Sequence, residues 1–238
     1  MDISHNIKRT AEKFVEGLRH VYGSDLVSVA LYGSAASGEY ALKRSNINIA
    51  VVLKDTSIPS VKKASCLARK RAFLRVNPVF FTEDYIRSSA DVFPVEFLDI
   101  KENHAILYGS DPFREIEIDA KNLRFQCEQE LKSKIINIKK AYLMAGNTAF
   151  LREMLFKSLT SSLHILRNLV RLKGKAPSYK KELVIEEVGR EFSIDTGIFN
   201  RILAARNGNI RLGRKEMDGL FAGLVATLET ISDKVDRF

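Results

Sequence analysis

A chain of 238 residues with 45% hydrophobic content is long enough for one large or two medium domains and can bury a real core. No apolar run approaches the roughly 18 residues that a membrane span needs, and the start, Met1-Asp2-Ile3-Ser4-His5, lacks the basic-then-apolar layout of a signal peptide. A cytoplasmic protein without a membrane partner is expected. The formal charge of +9 falls as +2 on residues 1–115 and +7 on the remainder, which favours anionic partners such as nucleotides, RNA or acidic proteins, although a solvated basic surface is the plainer reading. Cys66 and Cys127 have no metal-like spacing and read as buried small hydrophobes.

Ile3, Ile7, Ala11, Phe14, Leu18 and Val21 recur three or four apart, the stripe of an amphipathic helix that Gly23-Ser24-Asp25 ends. Residues 26–32 form an apolar, β-branched run that stops at Gly33-Ser34, and a second apolar run, 47–53, begins with polar residues at alternate positions, so strand, turn, strand is expected. Such a turn suits a phosphate: Gly33 permits close backbone approach, Ser34 offers a hydroxyl, and the amides opening the next helical turn point outward. Asp55 to Pro59 reads as a turn, and 60–75 as a helix carrying Lys62, Lys63, Arg69, Lys70, Arg71 and Arg75 without an acid. The pairs 62/69 and 63/70 would share one face, either as a phosphate or nucleic-acid track or as the wet side of a helix docked through Val61, Ala64, Ala68 and Ala72.

Residues 77–81 read as a short strand and Thr82-Glu83-Asp84 as the start of a brief helix. The apolar run 92–100 is expected to be a strand in which Glu96 and Asp99 face opposite sides, with Glu96 the better candidate for a site. A last short strand ends near Gly109-Ser110-Asp111-Pro112, a boundary that separates residues 1–115 from a helical part, 116–238. There the stripes Leu123, Cys127, Leu131, Ile135, Ile138, Tyr142, then Leu151, Leu155, Leu159, Leu163, Leu166, Val170, and finally Met217, Leu220, Leu224, Leu228, Ile231, Val235 predict a four- or five-helix bundle. Shorter helices are expected at 178–189 and 197–205. These leucine-rich helices suit a homodimer.

The pattern Gly33-Ser34, Gly38, Ser45, Ile47 and Ile49 resembles the signature of the DNA polymerase beta-like nucleotidyltransferases, and a small αβ domain followed by a helical bundle is similar to kanamycin-type members. The resemblance implies an α+β fold with a small mixed-sheet nucleotidyltransferase domain and an all-α bundle. It also implies a nucleoside triphosphate bound at Gly33, Ser34 and Ser45, Mg2+ as cofactor, and a third carboxylate on a neighbouring central strand, assigned to Glu96. The signature continues as Asp, hydrophobic, Asp, and here the sequence departs: Asn46 and Asn48 stand at those positions.

Residues i and i+2 of a strand share a face, so a carboxylate pair there can bridge two divalent ions that clamp phosphates. Asparagine keeps the shape and removes both charges, and Mg2+ favours charged oxygen ligands. Three functions are therefore open. The first is a catalytically degenerate nucleotide-binding or protein-interaction module without a bound metal. The second is an active transferase of NMP onto a small-molecule or macromolecular acceptor, with other ligands rescuing catalysis or with the asparagines as introduced replacements. The third is a nucleic-acid-binding protein using the 62–75 helix and the basic helical bundle; the basic run 206–215 reads as a turn into the last helix that could contact phosphate. The bundle could supply a catalytic acid from Glu128, Glu130 or Glu153, among which spacing does not choose. Ribonuclease chemistry of the kind that places an Arg four to six residues before a His is excluded by the positions of His5, His20, His104 and His164.

Overall fold

The computed structural model describes residues 5–36, 46–210 and 212–237. It divides into two compact units, Met1–Asp119 and Ala120–Phe238. Helix α1 (His5–Tyr22) buries Ile7, Ala11, Phe14 and Leu18 of the expected stripe together with Val15, with Val21 partly buried and Ile3 outside the described residues, and Gly23 at φ +52 turns the chain into β1 (Leu26–Tyr32). Strand β2 (Ile47–Leu53) pairs antiparallel with β1.

Residues 58–75 are not one helix. They form α2 (Ile58–Lys62), α3 (Ser65–Ala68) and a single 3-10 turn, Arg71–Phe73. Two causes are visible. Asp55 accepts both the Ser57 amide (2.8 Å) and the Ser57 hydroxyl (2.7 Å), which fixes the entry turn. The buried side chains, Ser60, Ala64, Leu67 and Phe73, do not keep one helical register, and Phe73 meets Phe14 edge-on at 5.1 Å. The cation pairs 62/69 and 63/70 therefore share no helix face.

Strand β3 (Val76–Phe81) pairs in parallel with β2. Helix α4 (Glu83–Ser89) follows, with the Thr82 hydroxyl accepting from the Tyr85 amide at its start. The run 92–100, expected as a strand, is instead helix α5 (Pro94–Glu102) with Pro94 in its first turn, a position that needs no amide donor. Strand β4 (His104–Gly109) returns along the other edge of β1, giving the order β3-β2-β1-β4. One face of the sheet packs Val29, Leu31, Ile49, Val51 and Leu53 on α1. The other packs Ala30, Ala50 and Val52 with Ile86, Phe97 and Ile100 of α4 and α5.

The second unit is helical: α6 (Ala120–Leu143), α7 (Thr148–Leu172), α8 (Lys181–Phe192), α9 (Gly197–Arg206) and α10 (Arg214–Asp236). Helix α7 packs on each of the other four, and its expected leucine stripe is buried throughout. The last stripe, Met217 to Val235, is buried as well, whereas Tyr142 stands at the surface of α6. Cys127 is buried as expected. Cys66 is exposed, because α3 turns Leu67 rather than its neighbour into the core. The architecture is α+β, a small mixed sheet followed by a helical part, in keeping with the nucleotidyltransferase-type layout expected. Among the described residues no helix is long and apolar enough to cross a membrane.

Gly109 ties β4 to β1 at φ +76, and a Cβ there would lie 2.0 Å from the Val27 carbonyl oxygen. Gly109→Ala combines a left-handed backbone with a clash against main chain that cannot swing away, so a loss of about 2 kcal/mol or more is expected, read as a lower midpoint in thermal or urea unfolding.

Candidate functional site

Gly33-Ser34 and Asn48 meet at one end of the sheet because β1 ends where β2 begins. Tyr32 lies opposite Asn48, Asn48 opposite Asn77, and Tyr32 opposite His104. Directly opposed residues project to the same face, so Asn77, Asn48, Tyr32 and His104 form one row across all four strands. Alternation puts this row on the face of Ala50 and Val52, beyond the apolar patch covered by α5.

Gly33 begins a 3-10 turn at φ +72. Its amide donates to the Asn103 carbonyl at 3.1 Å, and the Ala36 amide donates to the Gly33 carbonyl at 2.9 Å. The Gly33 amide thus ties the turn to the α5–β4 connection and the Ala36 amide closes the turn, so these two do not point outward. A Cβ on Gly33 would stand 3.3 Å from Asn48 Nδ2, so the small residue gives the Asn48 carboxamide its room. Asn77 Nδ2 donates to Asn48 Oδ1 at 3.3 Å, which leaves the Asn48 NH2 group facing the Gly33 turn. Asn46 is exposed just before β2, two residues from Asn48. Ser34 is half-buried in the turn, while Ser45 and Gly38 lie outside the described residues.

Glu96 is placed differently from the expectation. It is exposed in the first turn of α5 rather than on a strand. The 92–100 run misleads because its apolar residues suit a strand, while Pro94 and the following residues form a helix. On a helix, residues 96 and 99 lie on neighbouring surface rather than opposite sides. Asp99 acts on Tyr32: burial first and the Asp99 charge second push the Tyr32 phenol above its ordinary value. His104 bridges the end of α5 to the following turn. Its Nε2 lies 3.0 Å from Asp111 Oδ2 and its Nδ1 lies 2.9 Å from the Ile100 carbonyl, while Asp111 Oδ1 accepts the Phe113 amide at 3.0 Å. These contacts fix β4 against α5 and thereby the row.

Mg2+, implied by the resemblance, does not fit this set of donors. Asn46 and Asn48 offer neutral amides, Asn48 Oδ1 already accepts from Asn77, and among the described residues no three His, Cys, Asp or Glu side chains gather to hold a metal ion. The glutamates considered in the helical unit are engaged on their own helices: Glu128 with Arg124 (2.8 Å) and Lys132, Glu130 with Gln126 (2.9 Å), and Glu153 with Lys157 (2.6 Å). Sequence reading did not single out Asn77, and it put Arg75 on a basic helix; the place of both beside Asn46 and Asn48 depends on the parallel pairing of β3.

No family model and no curated protein matches the chain. Solved structures similar to it include a toxin-antitoxin with AMP-PNP, at 21% identity and TM-score 0.32, and a mutant of the toxin-antitoxin MntA-HpeT, at 21% identity and TM-score 0.31. Each match covers 56% of this chain and 98% of the other.

The Tyr32 surroundings give a direct check. Removing the Asp99 charge with Asp99→Asn lowers the titration midpoint of the Tyr32 phenol while burial still holds it up, measured by NMR on ring-labelled tyrosine. An unchanged midpoint would remove Asp99 from the row.

Proposed function

We propose that this chain is a nucleotidyltransferase-fold protein without metal-dependent transfer chemistry, acting as a nucleotide-binding or protein-interaction module. One observation carries the reading. Where a carboxylate pair would hold two cations, the Asn48 carboxamide is hydrogen-bonded to Asn77 and faces the Gly33 turn. A neutral, mutually bonded amide pair keeps the shape of a phosphate-gripping strand end and lacks the charge that anchors divalent ions.

The rate consequence follows from the size of the lost effect. Metal assistance is worth several kcal/mol of transition-state stabilisation, so the absence of both anionic ligands costs on the order of three decades or more. The nucleotide is then retained rather than consumed. Its phosphates are held by the Gly33-Ser34 turn with Asn46 and Asn48 beside them, and no step of bond making or breaking is assigned to any residue.

Incubation with an α-labelled nucleoside triphosphate and Mg2+ tests this. The wild-type chain is expected to form no labelled product above the uncatalysed level, and calorimetry is expected to show weak nucleotide binding that changes little when Mg2+ is chelated. The double variant Asn46→Asp, Asn48→Asp is expected to gain divalent-ion binding in the same titration. Robust turnover by the wild type refutes the reading.

A further inference from the structure

The basic segment singled out in the sequence, 60–75, ends at the same edge of the sheet as Asn46 and Asn48. The Ile47 amide donates to the Arg75 carbonyl at 2.8 Å, so the parallel ladder between β2 and β3 reaches one residue before β3 begins. Asn77 shares the face of Asn48, its partner across the ladder, and Arg75 ends the turn that leads into β3, its carbonyl held by the Ile47 amide, so its backbone lies beside Asn46 at the same sheet edge. The backbone here is held from two sides, by that hydrogen bond and by Phe73, buried against Phe14. Arg69, Lys70, Arg71 and Arg75 are all exposed, and no acidic residue occurs between Asp55 and Glu83.

This end of the sheet is rich in donors and cations. With Asn48 Oδ1 occupied by Asn77, the Asn48 group left at the surface of the site is its NH2, which has no partner among the described residues. Asn77 keeps a second N–H beyond the one given to Asn48. Arg75, which is not without partners in the structure, carries a planar fork of N–H groups matched to phosphate oxygens. Asp99, whose charge acts on Tyr32 of β1, belongs to α5.

We infer that the β2–β3 end of the sheet binds a polyphosphate anion directly, with Arg75 and the carboxamides of Asn48 and Asn77 supplying the positive and donor character that bound cations supply in a carboxylate site. The inference rests on the nucleotide-site reading above and names the contacts by which that site works without metal. The ligand class is a chain of phosphates, either that of a nucleoside triphosphate or a free oligophosphate. Arg75→Ala removes the fork without touching the core, and Arg75→Lys keeps the charge while losing the bidentate geometry.

The test is calorimetry in EDTA with tripolyphosphate and with ATP, on the wild type, Arg75→Ala, Arg75→Lys, Asn77→Ala and, as a distant control, Arg190→Ala. Unfolding midpoints of each variant confirm the fold. The wild type is expected to bind both ligands, more weakly as salt rises. Arg75→Ala is expected to weaken both about tenfold to a hundredfold, Arg75→Lys and Asn77→Ala less, and Arg190→Ala not at all. Much tighter ATP than tripolyphosphate binding identifies the nucleotide as the source of the phosphates, and equal binding identifies the phosphate chain alone. Nucleotide binding that survives Arg75→Ala unchanged, or that strictly requires Mg2+, overturns this inference. The first of those outcomes leaves the non-catalytic reading standing, whereas label transfer by the wild type defeats that reading whatever Arg75 does.

Discussion

The parallel pairing of β2 with β3 is the constraint on which the candidate site depends. Were β3 antiparallel, its far end would lie beside Asn48 and would bring Phe80 and Phe81 there instead of Arg75 and Asn77. Because the two strands start at the same edge, the residues just entering each strand are neighbours, and the β1-to-β2 reversal adds Gly33 to the same place. Four polar residues at the start of two strands and one left-handed glycine turn are thereby collected at one sheet edge. The crossover that makes this possible is the broken segment 58–75, anchored by Phe73 and Leu67 rather than by a continuous helix.

Within that frame, the chemistry follows from which atom each amide presents. A carboxylate pair would present four oxygens and attract cations. The observed pair turns one oxygen inward, toward Asn77, and one NH2 toward the turn. On the reading proposed above, amides where acids would stand remove the negative charge that attracts cations and leave N–H donors in its place. The second unit shows a contrasting use of charge. Its acids pair with cations one helical turn away, as Glu128 does with Lys132, whose hydrogen bond holds that carboxyl below its usual range.

Much of this was legible in the residues and some was not. Short apolar runs bounded by turn residues located β1, β2, β3 and β4, and the 3.6-residue period located α1 and the long helices. The α+β class followed from the change of period after Pro112. The 92–100 run was misread because a short apolar stretch has the same composition as a buried strand or a buried helix, and Pro94 admits both an irregular strand and a helix start. The 60–75 helix was misread because exposed cations at seven-residue spacing are equally compatible with two short helices and a turn. Asn46 and Asn48 stand out through the resemblance of this segment to the nucleotidyltransferase signature, which carries aspartates at those positions. Asn77 and Arg75 do not, since their nearness to that pair is a property of strand order, which no local pattern encodes.

The central claim is that the strand end at Asn48 repels divalent cations and receives anions. Titration of the isotope-labelled wild-type chain with paramagnetic Mn2+, in the absence of nucleotide and followed by NMR, measures this at the atoms concerned. The account predicts that the side-chain amide signals of Asn46, Asn48 and Asn77 keep their intensity at Mn2+ concentrations that saturate an ordinary two-carboxylate site. Selective bleaching of those three signals would contradict it.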